Sequence, residues 1–502
     1  MTQKALYLCC IAEPWIDVAK HLESKGVIPV YFVHWEADEK AFLKAFNETC
    51  YLQTVERAWK GLGFPQKLKP KALDEPEHKK IAWYELNALK MMDRLDPLGN
   101  HFSFQERRYF FQDLVGYWLA CIDRFDIDVV ISPSIPHRIF DYSLYVACKI
   151  KNVRFLMFQM VPFGSTSLII EDIDTMGEEY VFNVQEDCSR QPSNIINEKI
   201  AKTQKDYSQA VPSYMVDHEK NQKITFEKIR KIFFKPVANT FIYSFLRKKK
   251  PNTYWVKKGC MPENSDYSWL SYYITSFLRA LKVGLLKKKY GKLVSKPMPD
   301  NFILLALHYQ PEETSCPTGG SYADQINILK VLDEVLPEDI WIIVKEHKSQ
   351  FYTHQESASG RDASFYKRLK SISYRVKFSS VDATPFDLID NALATVTISG
   401  TIGWESAIRG TPTLVFGRAW YENMPRVHKI KSKKDLLRVI PFLEQEKNAD
   451  LQALIMSYHS EIEKKIIKAK HYKAFLKNSD IDIKDSKANL VNALSDRLLA
   501  TK

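Results

Sequence analysis

Residues 396–412 read VTISGTIGWESAIRGTP. A β-branched apolar run stops at a short turn and a helix-compatible stretch follows, so the sequence predicts a strand, a tight corner and a helix. The corner holds two glycines, Gly400 and Gly403, and two hydroxyl groups, from Ser399 and Thr401. Glycine lets a backbone approach a ligand closely, and the N–H groups that begin a helix attract anions. We therefore predict a phosphate site here. The alternative is that the two hydroxyl groups only cap the helix.

Strand and helix patterns alternate on both sides of this corner. From residue 301 the strand patterns are NFILLAL, IWIIVKEH, YRVKFSS, LATVTIS and PTLVFG, and the helix patterns between them are ADQINILKVLDEVL, ASFYKRLKSI, PFDLIDNA and IGWESAIRG. The N-terminal half shows the strands ALYLCCIA, VIPVYFV, IDVVISPS and VRFLMFQM, with the helices EPWIDVAKHLESKG and DYSLYVACKIKN. Such alternation predicts an α/β fold with two doubly wound, Rossmann-like domains, each a parallel sheet with helices on both faces.

The chain of 502 residues exceeds the size at which one hydrophobic core keeps growing. We predict four consecutive segments: an N-terminal domain at 1–215, a basic amphipathic helical segment between the domains at 216–300, a C-terminal domain at 301–430 and C-terminal helices at 431–502. The last helices are placed to pack back across both domains.

Three loops follow strands of the predicted C-terminal domain: HYQPEETSCPTGG, EHKSQ and SGTIG. Because the carboxyl ends of parallel strands meet at one edge of a sheet, these loops should form one crevice. The residues expected there are His308, Gln310, Glu312, Gly319, Gly320, Lys345, His347, Ser399, Gly400, Thr401 and Gly403. Lys345 and His347 would add charge-assisted hydrogen bonds to a phosphate.

Other cofactor sites find no support in the sequence. The Walker pattern GxxxxGK[ST] and the dinucleotide pattern GxGxxG are both absent. Asp-x-Asp strings occur at Asp126, Asp172 and Asp480, but we interpret them as chance matches, since FDIDVV leads into a strand and the last pair lies in the polar tail. The prediction is a site without a metal or a resident cofactor.

The amino-acid composition indicates the kind of binding partner and the cellular compartment. The net charge of +12 indicates an anionic partner, and the eight cysteines show no zinc-ligand spacing, which favours a reducing cytoplasm. We expect neither a secretory leader nor a membrane-spanning segment.

The segment 216–300 mixes aromatic and aliphatic residues with lysines and arginines at helical spacing. One interpretation is a pair of solvated helices that pack between domains, and the other is a basic surface that binds anionic lipid through Arg247–Lys250 and Lys287–Lys289. No nucleic-acid module accompanies the charge, so nucleic acid is not expected as a partner.

The motifs HYQPEETSCPTGG, VKEHKSQ and TISGTIGWESAIRGTPTLVFGRAWY, in this order, resemble the capsular polysaccharide biosynthesis proteins that include the capsule Kdo transferases. The resemblance covers residues 301–425. It implies a GT-B glycosyltransferase, in which two Rossmann-like domains face a cleft, with the acceptor mainly on the first and the nucleotide sugar mainly on the second.

By this resemblance the donor residues are Gln310 and Pro311, Lys345 and His347, and the Ser399–Thr401 corner. Glu405, one helical turn beyond the corner, would accept hydrogen bonds from a ribose. CMP-activated keto acids are typical donors of the family, although related folds use UDP sugars. His347 is expected to stabilise or to protonate the departing phosphate.

The residue that activates the acceptor, or that forms a covalent intermediate, is expected in loops of the first domain. Glu13 follows the first strand, His137 and Asp141 follow ISPS, and Asp172 and Asp174 come later. Each has an alternative interpretation as a helix cap or a solvated side chain.

The sequence thus predicts a glycosyltransferase of bacterial capsule or surface polysaccharide synthesis. It would transfer a Kdo- or nonulosonate-type sugar from a CMP donor to an oligosaccharide or lipid-linked acceptor, as a peripheral protein on the inner face of the cytoplasmic membrane. The alternatives are a sugar-nucleotide epimerase of the same architecture, a transferase with a UDP-sugar donor, and a scaffold that kept the phosphate corner without turnover.

Overall fold

The computed structural model describes residues 2–46, 50–182, 191–210, 251, 253–353, 359–476 and 481–499. The first basic run of the predicted lipid surface, Arg247–Lys250, lies outside the described residues. The strands of the described residues are β1 (Gln3–Cys10), β2 (Val27–His34), β3 (Tyr51–Thr54), β4 (Val129–Ser132), β5 (Arg154–Val161), β6 (Thr166–Ile170), β7 (Phe302–Ala306), β8 (Trp341–Lys345), β9 (Val376–Phe378), β10 (Ala394–Thr397), β11 (Thr413–Val415), β12 (Val427–Lys429) and β13 (Ile467–Lys468).

The α-helices of the same residues range from single turns to six turns. They are α1 (Ala12–Ser24), α2 (Glu39–Phe46), α3 (Val55–Ala58), α4 (Glu75–Met91), α5 (Phe104–Phe125), α6 (Ile139–Lys151), α7 (Asn194–Lys205), α8 (Tyr207–Ala210), α9 (Trp269–Gly291), α10 (Ile326–Val335), α11 (Ala363–Ile372), α12 (Pro385–Asn391), α13 (Thr401–Ile408), α14 (Lys433–Val439), α15 (Leu443–Asn448), α16 (Gln452–Glu463) and α17 (Ile483–Leu499).

The chain forms two units that interleave along the sequence. Unit 1 comprises Met1–Leu89, Arg107–Lys199 and Gln452–Lys502, and unit 2 comprises Lys90–Glu106 and Ile200–Leu451. The segments predicted from the sequence follow one another instead, and their boundaries stay predictions. The C-terminal helices divide between the units: α14 and α15 belong to unit 2, and α16 and α17 belong to unit 1.

The sheet of unit 1 has the strand order β13-β6-β5-β4-β1-β2-β3. The five strands from β5 to β3 are parallel, as predicted. At the other edge the sheet continues with two antiparallel strands that the sequence patterns did not predict: β6 runs antiparallel to β5, and β13 antiparallel to β6. The few residues between Val161 and Thr166 suffice for a hairpin, whereas a parallel neighbour needs a crossover of about a dozen residues or more.

Helices of both ends of the chain cover one face of this sheet. Trp15 and Leu22 of α1 share a buried cluster with Tyr7 and Phe32 of the sheet and with Leu494 of α17. The apolar face of the last helix therefore packs inside unit 1.

Unit 2 contains a sheet of six strands, all parallel, in the order β12-β11-β10-β7-β8-β9. All five residues of β7 are buried. Ile303 and Leu305 point into one cluster, and Phe302 and Leu304 point into another. Because successive side chains of a strand face opposite sides, both faces of the sheet are covered, which confirms the doubly wound prediction for this half.

Candidate functional site: three loops at one sheet edge of unit 2

Three strands of unit 2 end at the same level of the sheet. Ala306 of β7 lies beside Lys345 of β8, and Leu305 lies beside Val396 of β10. The loops that begin at Leu307, Glu346 and Ile398 therefore leave one edge together, as the sequence predicted.

His308 joins the first loop to the corner. Its Nε2 lies 2.7 Å from Thr397 Oγ1 and accepts the N–H of Ile398 at 3.2 Å, so the proton of the neutral ring is on Nδ1. Burial, followed by the charges of His347 and Arg361, lowers the pKa of His308 to about 3. His308 is thus a neutral, locked side chain that holds two loops together.

Close packing around the corner requires glycine at both Gly400 and Gly403. A Cβ on Gly400 would overlap the imidazole of His308, and one on Gly403 would overlap the hydroxyl of Tyr421 and the methyl group of Thr397. The Tyr421 hydroxyl also donates to the Gly400 carbonyl. Gly400 therefore lets His308 reach the corner, and Gly403 lets α13 lie close to the strands. A backbone contact of either glycine with a ligand stays a prediction.

The two hydroxyl groups of the corner have different surroundings. Ser399 Oγ donates to the Thr314 carbonyl at 3.1 Å and lies 2.7 Å from Thr318 Oγ1, so it ties the first loop to the corner. Thr401 is exposed, and its hydroxyl has no hydrogen bond to the described residues. The N-cap of α13 is Gly400, and within the described structure no side chain caps this helix. The capping alternative for Ser399 and Thr401 is therefore not what the structure shows.

Lys345 places a positive charge at the end of β8. Its side chain is buried, and Nζ donates to the carbonyls of Val381 at 3.0 Å and Ser380 at 3.4 Å. Burial and then the nearby charge of Lys348 lower the pKa of Lys345 to about 8. The ammonium group is mostly protonated at neutral pH and would gain from an anion, because opposite charge favours its charged form.

His347 follows two residues later and is half-buried. Its Nδ1 accepts the N–H of Ser349 at 3.2 Å, which leaves the proton of the neutral ring on Nε2. Loss of hydration among the loops, followed by the charges of Lys345 and Lys348, lowers the pKa of His347 to about 4. The unliganded side chain is therefore a neutral Nε2–H donor at neutral pH.

A buried ion pair between Arg361 and Glu346 connects the loops of His308 and His347. Sequence reasoning did not find this pair. Arg361 Nε donates to Glu346 Oε2 at 3.2 Å, and its Nη2 donates to the carbonyl of His308 at 3.0 Å. The other oxygen of Glu346 accepts the N–H of His347 at 2.9 Å, and Tyr366 donates to Oε2 at 2.7 Å. The pair thus links the backbones of His308 and His347. Strand alternation through the Lys-Glu-His motif indicates that Glu346 points away from its neighbours, but nothing in the sequence identified Arg361 as its partner.

The remaining predicted donor residues surround the first loop and α13. Gln310 is buried, its N–H donates to Gln350 Oε1 at 2.9 Å, and its own Oε1 has no partner among the described residues. Glu312 is exposed at the surface. Gly320 has φ of 51°, which favours glycine. Glu405 is half-buried on α13, close enough for its charge to add to the burial that raises the pKa of Tyr421. Their roles as donor ligands stay predictions.

The candidate acceptor-side residues all lie in unit 1 and engage neighbouring side chains. The carboxylate of Glu13 accepts from Lys487 at 3.3 Å. His137 Nδ1 lies 2.7 Å from the Ile135 carbonyl, and Asp141 accepts the backbone N–H of Arg138 at 2.6 Å and its guanidinium at 3.3 Å. Asp172 accepts from Tyr145 and Lys149. The N–H of Asp174 donates to Asp172 at 3.0 Å.

These contacts favour the capping interpretation for Asp141, and a catalytic role for Asp141 or Glu13 stays a prediction.

Within the ranges that the structure describes, no group of three or more His, Cys, Asp or Glu side chains has an arrangement that could hold a metal ion. No described helix is long and apolar enough to cross a membrane.

Residues 265–426 match the model of the family described as capsule polysaccharide biosynthesis protein. The resemblance carried by the three motifs is confirmed. The match also begins earlier than the resemblance read from the motifs, since it includes α9. It supports a role in capsule polysaccharide synthesis. No curated protein sequence matches the chain.

Several solved structures are similar at low identity. They include the KpsC β-Kdo 2,7 transferase of Thermosulfurimonas dismutans, with 10% identity, 74% of this chain and 87% of that chain covered and a TM-score of 0.29. A glycosyltransferase from Rickettsia africae shares 10% identity over 100% of both chains, with a TM-score of 0.25. The UDP-GlcNAc 2-epimerase from Neisseria meningitidis shares 10% identity over 92% of this chain and 98% of that chain, with a TM-score of 0.22. At this identity the named activities are those of the other proteins only.

Proposed function

We propose that the chain is a glycosyltransferase of capsule polysaccharide synthesis that uses a CMP-linked keto acid sugar as donor. One observation carries the proposal: the strands β7, β8 and β10 bring the three family motifs to one edge of the unit 2 sheet. That edge contains a lysine, a histidine with its proton on Nε2 and a helix start without a side-chain cap.

A CMP donor carries one phosphate and one sugar carboxylate. The N–H groups of the first turn of α13 and the Thr401 hydroxyl are suited to donate to the phosphate, and Lys345 supplies positive charge. At neutral pH a CMP-linked keto acid and a UDP sugar each carry two negative charges, so the choice of a CMP donor rests on the family resemblance. The expectation that no metal is required rests on these groups alone.

In the proposed reaction the acceptor hydroxyl oxygen attacks the anomeric carbon while the bond from that carbon to the phosphate oxygen breaks. CMP leaves with the bonding electron pair, and the hydroxyl proton passes to a general base of the protein. Negative charge grows on the departing oxygen, where the Nε2–H of His347 stabilises it by hydrogen bonding. Because the unliganded pKa is about 4, His347 acts as an acid only if the bound phosphate raises its pKa.

The test measures nucleotide release and donor fate in the same reaction. The full chain is incubated with CMP-Kdo or a CMP-nonulosonate, with and without an oligosaccharide acceptor, and once more in the presence of a chelator. CMP release that requires the acceptor and persists with the chelator supports the proposal. An isomerised donor without acceptor would assign the epimerase alternative instead. Nucleotide binding without any turnover would leave a scaffold without catalytic activity as the remaining alternative.

A binding screen separates the two donor classes. A ligand at 100 times its dissociation constant stabilises a protein by ~2.7 kcal/mol, which is readily seen as a rise in melting temperature. We expect CMP to raise the melting temperature more than UDP does at equal concentration. If UDP stabilises more strongly, the UDP-sugar alternative replaces the CMP donor.

The acceptor is proposed to be an oligosaccharide or a lipid-linked glycan, and the place of work the inner face of the bacterial cytoplasmic membrane. The support is the family match and the net charge of +12.

A further inference from the structure

Helix α9 turns a row of large apolar side chains to the solvent. The row consists of Leu270, Ile274, Phe277, Leu281 and Leu285, whose exposed fractions lie between 50% and 63%. Their spacings of four, three, four and four residues place them on one face of the helix. We call these five residues the apolar stripe. Scattered exposed leucines are ordinary, but a continuous stripe of this kind marks an interaction surface.

The opposite face of the same helix is packed into unit 2. Thr275, Arg279, Val283, Leu286 and Tyr290 are buried, and the last three belong to the main core cluster of the unit. The Tyr290 hydroxyl donates to the Ser379 carbonyl at 2.9 Å, and Lys282 donates to the Leu98 carbonyl at 2.8 Å. These contacts prevent the helix from rotating the apolar stripe inward.

Basic residues extend the stripe toward the end of the helix. Lys288 follows Leu281 by seven residues and lies on the same face, with Lys287 beside it, and both are exposed. The sequence of α9, WLSYYITSFLRALKVGLLKKKYG, contains no acidic residue. At its start the rings of Trp269 and Tyr273 stack on each other. Aromatic rings of this kind favour the boundary between lipid and water.

We propose that the apolar stripe, Lys287 and Lys288 form a docking surface for an anionic phospholipid membrane, with α9 lying in the plane of the interface. The leucine, isoleucine and phenylalanine side chains enter the boundary between headgroups and acyl chains, and the lysines bind the phosphates. A phospholipid surface supplies both the apolar layer and the negative charge. A second copy of the chain paired through the same stripe would offer the lysines no carboxylate from its own α9.

The test measures binding of the full chain to vesicles by co-sedimentation. We expect binding to phosphatidylglycerol mixed with phosphatidylcholine, little binding to phosphatidylcholine alone, and weaker binding at high salt. The double variant Phe277→Asn, Leu281→Asn should lower the partition coefficient by ~10²-fold, because two large apolar side chains no longer enter the lipid. The double variant Lys287→Glu, Lys288→Glu should lower it by at least ~10-fold.

Matched controls come from the same unit. Leu437 of α14 is 58% exposed, so Leu437→Asn removes a comparable apolar side chain outside the stripe. Lys367 and Lys370 of α11 are exposed, so Lys367→Glu, Lys370→Glu repeats the charge change elsewhere. Both controls should bind vesicles like the unchanged protein, apart from a modest effect of net charge in the second.

Two results would overturn the proposal. One is equal binding of the stripe variant and the unchanged protein to anionic vesicles. The other is a dimer in light scattering that the stripe variant converts to a monomer, together with no vesicle binding, which would assign the stripe to a second copy. Vesicle binding requires no sugar donor, so failure of this proposal affects the proposed place of work but leaves the proposed glycosyltransferase activity standing, and loss of the activity proposal leaves membrane binding standing.

Discussion

Each unit contains a corner where a buried strand passes into a helix, and the two corners differ in how their polar groups are satisfied. In unit 1, the corner between β4 and α6 closes on itself: Asp141 accepts the N–H and the guanidinium of Arg138, and Ser132 donates to the Ser134 carbonyl. In unit 2, the corner between β10 and α13 begins with Gly400, and no described side chain caps the helix.

We interpret this difference as a difference in role: the first corner stabilises the fold, and the second has groups left to bind a ligand. A corner whose donors and acceptors are paired internally contributes to folding and has little left for a ligand. The corner of unit 2 leaves the first N–H groups of α13 without a side-chain partner from the described residues. Lys345 ends β8 and His347 follows it, and β8 is the second strand from β10, at the same edge of the sheet. We therefore expect substitutions at the first corner to act on stability and substitutions at the second to act on donor binding and turnover.

The largest expected effect is at His347. In His347→Ala the departing phosphate loses its Nε2–H donor, so turnover should fall by ~10² to 10⁴-fold while the melting temperature changes little. The measurement is the initial rate of CMP release with acceptor. His78→Ala, at an exposed position of α4, is the control and should keep full turnover. Unchanged turnover in His347→Ala would falsify the proposed role.

The next effect tests the closed corner. The side chains of Arg138 and Asp141 are 8% and 3% exposed, so Asp141→Asn leaves a buried guanidinium without its counter-charge. We expect a loss of roughly 3 kcal/mol in the free energy of unfolding, measured in urea. The affinity of the folded variant for CMP should stay the same. A loss of turnover beyond the unfolded fraction would instead support the predicted catalytic role of Asp141.

A third prediction concerns the fit between Gly400 and His308. Gly400→Ala forces a Cβ against the imidazole, which should cost ~1–3 kcal/mol of stability and displace the corner enough to weaken CMP binding. Gly284→Ala on α9 is the matched control, since a Cβ there meets nothing within 4 Å. In a helix this control should stabilise by ~0.5–1 kcal/mol. Equal melting curves for the two variants would show that the corner has room to relax.

His308, which is buried at the corner between β10 and α13, makes the free energy of unfolding depend on pH. The pKa of His308 falls from 6.5 in the unfolded chain to about 3 in the folded one, so the unfolded state binds more protons between these values. Stability should be independent of this group above pH 6.5 and should fall as the pH drops below it, by ~1.4 kcal/mol per pH unit. Urea unfolding of His308→Gln across this range should show a slope smaller by that amount. Identical slopes would contradict the assignment.

The smallest effect is expected at Thr401. Its exposed hydroxyl contributes nothing visible to folding, so Thr401→Ala should change stability by less than ~0.5 kcal/mol. Loss of one hydrogen bond to phosphate should weaken CMP binding by ~3 to 10-fold in calorimetry. Thr384→Ala, at the start of α12 where the hydroxyl also makes no capping bond, should leave CMP binding unchanged.

Much of the fold was predictable because its signals are local. The pattern ASFYKRLKSI coincides with α11, and the strand patterns around β7, β8 and β10 lie within one or two residues of the observed strands. The edge strands β3, β12 and β13 were missed, and so was β6, which lies next to β13. A two-residue strand has no periodicity of its own, and its pairing depends on a segment about three hundred residues away.

In the candidate site, too, local signals were predictable and contacts between distant segments were not. The order of the three motifs and the rule for parallel strands were enough to predict that the loops converge. The purposes of Gly400 and Gly403 were not predictable, because the side chains that require them, His308 and Tyr421, come from other parts of the chain.

By itself, the sequence determined the two α/β halves, the family resemblance and the convergence of the three motif loops at one sheet edge, because periodicity and motif order are written along the chain. Only the tertiary structure decided the Glu346–Arg361 pair, the proton positions on the two histidines, the closed state of the Asp141 corner and the outward direction of the α9 stripe. Each of these depends on which distant groups share a desolvated space, and burial and hydrogen bonding across that space set both protonation and packing.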